Sequence, residues 1–210
     1  MPEINISFDG TDILDGDYVS ANPEIKIELY DFSMLPLNDT SSVSLFLNNE
    51  QIYFANNTEL SYQLSPANPK MIVTYSPQLE SGEYMLKVLG KNISGSADTN
   101  IVERYFIVNE TTELLNVYNY PNPSKGSTYF TFKLTQIPDE LKIKIYTVAG
   151  RLIKQIVKSS SELKYDFNSI YWDGKDDDEN SIANGVYFYK VIINKNGTTR
   201  DVTEKLAIVR

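Results

Sequence analysis

The sequence predicts an all-β protein folded as two tandem antiparallel β-sandwiches, and three observations carry that reading. Apolar and polar residues alternate with period 2 along most of the 210 residues, whereas helical spacing is almost absent. Short runs of Gly, Asn, Asp and Ser separate the alternating segments, as turns between strands require. Just past the midpoint, NVYNYPNPSKG (residues 116–126) interrupts a strand-like run with Pro121, Asn122 and Pro123, where neither a helix nor a central strand can continue.

In the first half the strands follow one another closely. EINISFDG opens the series. EIKIELYD then sets Ile25, Ile27 and Leu29 on one face, with Lys26 and Glu28 opposite. VSLFLNN alternates Val43, Leu45 and Leu47, and QIYFA and ELSYQL fill the middle. KMIVTYS offers Met71, Val73 and Tyr75, EYMLKVLG offers Tyr84, Leu86 and Val88, and ERYFIVN closes the half. That makes about eight short strands, punctuated by FDGTD, LNDTS, LESGEY and NISGS. A short helical turn is expected only near Gln78 to Ser81.

The second half repeats the style. YFTFKL alternates Phe130, Phe132 and Leu134 with Thr131 and Lys133, and LKIKIY alternates Leu141, Ile143 and Ile145 with two lysines. AGRLIKQIV reads as turn plus strand, YDFNSIYWDG follows, and VYFYKVII and EKLAIVR complete the set. Roughly seven strands, each polar on one side, are the pattern of an antiparallel sandwich. NETTELLNVYNYPNPSKG has the composition of a connection that becomes the first strand of this second sandwich, with Pro121 and Pro123 keeping it at an edge. The domains are therefore expected at 1–110 and 111–210, with the boundary near 109–114.

Composition limits the chemistry. Aromatic residues make up 12%, with 15 tyrosines and 9 phenylalanines, which suits ordered packing and not disorder. There is no cysteine and no histidine, so thiol catalysis, thiolate metal sites and the commonest general base are excluded. A net charge of −9 argues against nucleic-acid binding, which needs clustered Lys and Arg. The halves differ: 16 acidic against 5 basic residues in 1–110, net −11, and 12 against 14 in 111–210, net +2. No run of 18 apolar residues suggests membrane insertion, and MPEINISFDG lacks the basic and apolar regions of a signal peptide. A strand-like segment directly after Met1 reads as the start of a piece of something longer.

Several residues stand out individually. Gly150 in TVAGRL and Gly185 in IANGVY fall where strands are expected to reverse tightly, a conformation that glycine adopts without a Cβ clash. Trp172, the only tryptophan, is expected to be buried with its indole N–H bonded. WDGKDDDEN is the only dense acidic cluster, and Asp173, Asp176 and Asp178 make it a weak candidate for Ca²⁺, which takes about six to eight oxygen ligands. Its spacing fails the EF-hand rule, so a solvated hairpin loop is the simpler expectation. Carboxylate pairs such as Asp15 with Asp17, or Asp166 with Asp173, lie in turn-like segments without a flanking aromatic platform, and no lysine lies in an obviously buried segment to activate a serine. Neither half offers an activated nucleophile or general base, and no cofactor is expected. Tyr118, Tyr120, Tyr187 and Tyr189 occupy alternating strand positions, which fits cross-strand packing or a stacking surface for sugars or peptides.

Four pieces of the second half, YNYPNPSKGSTYFTFKL, LKIKIYTVAGRLIKQIV, IYWDGKDDDENSIANGVYFYKV and EKLAIVR, together resemble the C-terminal sorting domains of the bacterial type IX secretion system. They also resemble the Ig-like module of flagellar hook-capping proteins. The first half, through ISFDGTDILDGDYVSANPEIKIELYD and SPQLESGEYMLKVLGKNISGSAD, is similar to the β-sandwich that precedes such a domain in large secreted proteins, including gingipain-like surface sortases. The resemblance implies two tandem Ig-like antiparallel β-sandwiches. It implies an upstream domain of the same polypeptide, a cysteine peptidase in the sortase case, and a place outside the cell or on the outer-membrane surface of a Gram-negative bacterium. It also implies recognition by outer-membrane translocon components through the loops near Gly150 and Gly185, through Tyr187, and through the terminal strand with Lys205 and Arg210. The other reading is an adhesion or carbohydrate-binding module, whose cue would be an exposed aromatic trio on one face.

Overall fold

The structure, a computed structural model, describes residues 2–31, 40–91 and 99–210. The chain divides into two compact units, Met1–Asn109 and Glu110–Arg210. Each is an Ig-like sandwich of two sheets around its own core. Of the expected turns, NISGS and the first three residues of LNDTS lie outside the described residues.

The first unit contains β1 (Glu3–Phe8), β2 (Asp17–Val19), β3 (Ile25–Tyr30), β4 (Val43–Leu47), β5 (Glu50–Ile52), β6 (Leu60–Leu64), β7 (Met71–Tyr75), β8 (Gly82–Lys91) and β9 (Thr99–Val108). One sheet has the order β1-β3-β7-β6 and the other β2-β9-β8-β4-β5. Alternation determines what is buried: Ile25, Ile27 and Leu29 of β3 point inward to meet Met71 and Val73 of β7 and Leu86 and Val88 of β8. Each such side chain contributes about 1.5–3 kcal/mol by leaving water.

Two expectations need correction here. Gln78 to Ser81 forms no helix, because the Leu79 amide donates to the Ala21 carbonyl (2.8 Å) and its side chain is buried in the core. A local helical turn would forfeit both contacts. The sandwich is also not wholly antiparallel: β2 pairs in parallel with β9, Asp17 opposite Phe106. Three residues are too short for a period-2 signal to register.

The second unit contains β10 (Leu114–Tyr120), β11 (Thr128–Leu134), β12 (Glu140–Thr147), β13 (Leu152–Ser159), β14 (Asp166–Trp172), β15 (Gly185–Lys195) and β16 (Thr198–Ile208). Its sheets are β10-β11-β14 and β13-β12-β15-β16. β10 lies at a sheet edge, as the two prolines that follow it require. Trp172 is buried, stacks near Phe130 with ring centroids 6.0 Å apart, and donates its indole N–H to the Lys175 carbonyl (2.9 Å). A bulge between Leu115 and Tyr118 resets β10 so that Asn119 turns inward while Tyr118 and Tyr120 turn outward. Among the described residues the helical content is two single 3₁₀ turns, Thr40–Ser42 and Ser160–Glu162.

Candidate functional site

The loops β10–β11 and β14–β15 and the end of β16 are joined at one pole of the second unit, the end that also carries the β12–β13 turn. β16 runs along β15 with Ile208 opposite Gly185, leaving the other edge of its last residues to be satisfied. The PNPS loop does this. Asn122, fixed between two prolines, accepts from the Ala207 amide through Oδ1 (3.0 Å) and donates through Nδ2 to the Lys205 carbonyl (2.9 Å). Ser124 then adds two backbone bonds, its amide to the Ala207 carbonyl and its carbonyl from the Val209 amide, both 2.8 Å. An amide side chain suits this position because it carries a donor and an acceptor side by side.

The same loop is tied to the sheet beneath it. Thr128 Oγ1 donates to the Pro121 carbonyl (2.9 Å), and Asn119 Nδ2 donates to Thr128 Oγ1 (3.2 Å). Asn122 Nδ2 also reaches Asn119 Oδ1 (3.1 Å). Asn119, Ser124 and Thr128 are all buried, so the network is shielded from water and holds a single geometry.

Arg210 is clamped from two sides. Its amide donates to Asn184 Oδ1 (3.0 Å), Nη1 to the Ile182 carbonyl (3.0 Å) and Nε to the Lys125 carbonyl (3.3 Å). Gly126 and Gly174 make room for these crossings. At Gly174 φ is +79°, and a Cβ would run into the Gly126 carbonyl; at Gly126 φ is +136°, and a Cβ would press on the Arg210 guanidinium. Among the described residues no carboxylate side chain pairs with Lys125, Lys205 or Arg210, so these three cations stand unpaired beside the acidic β14–β15 loop.

The expected recognition residues fall into this frame unevenly. Gly150 closes the β12–β13 turn at the same pole, with φ +82° and its amide bonded to the Thr147 carbonyl (2.9 Å). Gly185 is not in a tight reversal: it is the first residue of β15, because the connection back from β14 is spread over residues 173–184. Tyr187 faces the core, and its hydroxyl donates to the Ala183 carbonyl (2.8 Å), so it supports the loop from inside. The terminal strand with Lys205 and Arg210 pairs within its own sandwich, with Gly185 to Lys195 on one side and with Asn122 and Ser124 on the other edge at 205–209. Pro121 and Pro123 flank the residue that seals that edge. Asn122, Ser124, Gly126, Gly174 and Asn184 were not singled out from the sequence; an asparagine held between two prolines is the signal that could have found the first.

The acidic loop is organised by its own backbone. Asp176 Oδ1 accepts from the amides of Asp178 (3.0 Å) and Asn180 (2.8 Å), and Asp173 Oδ1 from Lys175 (3.1 Å). Lys154 sits 3.4 Å from Asp177 and 3.8 Å from Glu179. Asp173, Asp176 and Asp178 are not brought together, and no group of three or more acidic side chains is placed to hold a metal ion among the described residues. Asp166 is buried and ion-paired with Lys133 (2.7 Å), while Asp15 and Asp17 accept from the amides of Tyr105 and Leu14. One lysine is buried after all: Lys70, whose ammonium donates to the Pro66 carbonyl (2.6 Å).

The FlgD Ig-like domain family matches residues 118–197, the stretch that contains most of this pole. Among curated proteins none matches the chain by sequence. In structure, dimeric latent PorU from Porphyromonas gingivalis is similar at 20% identity and a TM-score of 0.42, covering 99% of this chain and 20% of its own, so the chain spans about one fifth of that protein. A two-domain fibronectin type III segment of chicken tenascin (7% identity, TM-score 0.33, 98% and 97% covered) and the N-terminal Ig1-2 module of the Drosophila receptor tyrosine phosphatase DLAR (12%, 0.35, 100% and 99%) are similar as well. No helix among the described residues is long and apolar enough to cross a membrane.

Proposed function

We propose that this chain is the non-catalytic C-terminal region of a secreted bacterial surface protein, with residues 110–210 acting as its type IX export and retention module. The first unit serves as a spacer that supports an upstream domain of the same polypeptide. The observation that carries the reading is convergence. The segments that resemble sorting-domain motifs, PNPSKG, the WDG to IANGVY connection and EKLAIVR, come from three parts of the sequence yet lock to one another at a single pole. Packing alone does not require two loops and a strand end to be hydrogen-bonded into one surface, and a partner that reads the folded domain would use such a surface.

The mechanism is recognition of a folded pole. With the strand edge at 205–209 already closed, a translocon component reads shape and charge: the Lys125, Lys205 and Arg210 side chains around the latched loop. Such basic contacts suit an acidic receptor and steer association more than they strengthen it. The 210-residue chain is fused behind a periplasmically targeted reporter in a type IX-competent bacterium to test this. The reporter is expected at the cell surface, and Lys205→Ala with Arg210→Ala is expected to leave it in the periplasm with Trp172 emission unchanged. A folded wild-type fusion that stays in the periplasm overturns the proposal.

A further inference from the structure

The outer face of the β10-β11-β14 sheet carries aromatic rings that the core does not use. Tyr120 pairs with Tyr129, and Tyr129 with Tyr171, so the three stand side by side in one row across the strands. They are 71%, 47% and 55% exposed, and the rings of Tyr129 and Tyr171 lie 5.2 Å apart. The next row holds Tyr118, Thr131 and Ser169, and Phe167 stands opposite Lys133 in the third. Tyr118 and Phe167 are also exposed. Five exposed aromatics on one three-stranded face far exceed the scattered apolar residues of an ordinary surface and mark a binding site.

The chemistry of the face selects the occupant. Lys133 is its one charged side chain, and Asp166 neutralises it at 2.7 Å. A charged peptide, a nucleic acid or a lipid headgroup would find no counter-charge there. A purely apolar partner would be met by Leu, Ile or Val; here four of the five rings end in a hydroxyl. Among the described residues no hydrogen bond to the protein engages those four hydroxyls or that of Ser169. A flat apolar surface with a hydroxyl rim is what a pyranose ring also presents, with C–H groups on its face and hydroxyls around its edge.

Geometry agrees. One ring per strand gives a repeat of about 4.8 Å, close to the advance of one sugar unit in an extended chain. β10 and β14 are both edge strands, so the row is open at each end. On the β14 side it continues into a groove of about 480 Å³ between β13 and β14, lined by Lys154, Lys158, Ser169, Tyr171 and Asp173. Both lysines of the groove are paired, Lys154 with Asp177 and Lys158 with Glu162 (2.7 Å), so it offers hydrogen bonds with little net charge.

We propose that this face is a stacking platform for an uncharged, extended glycan that lies across the strands over Tyr120, Tyr129 and Tyr171 and enters the groove beside β14. The site adjoins the latched pole but uses other side chains, and it does not depend on the export reading.

The test is native affinity electrophoresis of the full chain through hydroxyethyl cellulose, xyloglucan, galactomannan and dextran, followed by calorimetric titration with oligosaccharides of the retarding polymer. At least one polymer is expected to retard the protein. Tyr129→Ala and Tyr171→Ala are each expected to weaken binding roughly tenfold, and Tyr129→Phe far less, because the ring is kept. Trp172 emission reports whether each variant is folded; should the central substitutions disturb it, Tyr118→Ala and Tyr120→Ala on the edge strand carry the same test. The proposal is overturned if no polymer retards the protein, or if retardation survives all the alanine variants. It is equally overturned if sedimentation shows a dimer that Tyr129→Ala dissolves, since the face would then belong to a second copy.

Discussion

Both units are two-sheet sandwiches of about the same length, yet polar groups are distributed within them differently. Among the described residues the first unit buries Asp31 and Lys70, whereas the second buries Asn119, Ser124, Thr128, Thr131, Thr135, Asp166 and Asn168. Those in the second unit are concentrated where loops must cross: Asn119, Ser124 and Thr128 under the PNPS loop, and Thr135 donating to the Thr111 carbonyl (2.6 Å) and accepting from the Glu113 amide (2.8 Å). An apolar core tolerates many repackings, but a buried hydrogen-bond network is satisfied in few arrangements and expensive when half made. The first unit is therefore built to be a stable body and the second to hold a defined surface. The charge contrast, net −11 against net +2 in the two halves of the sequence, points the same way.

The sharpest way to break this comparison is at Gly174. Replacing it with Ala imposes a left-handed φ on a side-chain residue and drives a methyl group into the Gly126 carbonyl, at an expected cost of about 2–4 kcal/mol. Trp172 lies in the second unit alone and reports that unit's urea unfolding by its emission. In the first unit Gly16 has a similar φ, +86°, but open space around it, so Gly16→Ala should cost only about 1–2 kcal/mol by circular dichroism. Equal losses would mean that the pole is no more constrained than an ordinary turn.

Asn122→Ala comes next. It removes both side-chain bonds to β16 and leaves the Ala207 amide and Lys205 carbonyl to water, for an expected loss of about 1–2 kcal/mol. Hydrogen exchange locates the effect: Ala207 should lose protection while the amides of β8, in the first unit, keep theirs. Unchanged exchange at Ala207 would show that the latch does not hold the strand edge.

A smaller effect of opposite sign is expected at Tyr189. Its ring packs 4.7 Å from Phe130, its side chain is fully buried, and its hydroxyl has no hydrogen-bond partner among the described residues; burial, with the Glu204 charge, holds its pKa far above the ordinary tyrosine value. Tyr189→Phe should stabilise the second unit by about 1 kcal/mol. Tyr75 of the first unit is also largely buried, and burial raises its pKa to about 12, but it lines an open cleft of about 740 Å³. Tyr75→Phe should therefore change little, and a matching gain there would remove the contrast.

How far these features were legible depends on how local their causes are. Alternation was clearest for β12, β14 and β15, which bury every second side chain, whereas β16 was legible only from Glu204 onward because its residues 198–205 bury none. It missed β2, whose three residues owe their conformation to Tyr105 and Phe106 on a strand almost ninety positions away. The tyrosines looked equivalent in sequence, yet Tyr187 and Tyr189 face the core while Tyr118 and Tyr120 face water. What separates the two pairs is a bulge in β10 and the packing of β15 between β12 and β16. Gly150 could be read as a turn glycine because its cause is local. Gly126 and Gly174 could not, since Gly174 is required by the Gly126 backbone forty-eight positions away and Gly126 by the Arg210 guanidinium.

The mildest test concerns acid. Glu162 ends the turn after β13 and accepts hydrogen bonds from the Lys158 ammonium (2.7 Å), the Ser159 amide (3.0 Å) and the Ser159 hydroxyl (2.9 Å). Led by Lys158, these hold its carboxyl at about 2, below the ordinary 4.5. A carboxyl depressed in the folded state stabilises fully above its unfolded value and loses that contribution as pH falls toward its folded one. The Trp172-monitored stability of wild type and Glu162→Gln should therefore differ above about pH 4.5 and converge by about pH 2. Because the site is fully exposed, the gap should be small and should shrink further in salt. A gap that persists undiminished at pH 2 would place the effect of the substitution in the geometry of the turn and not in the charge of Glu162.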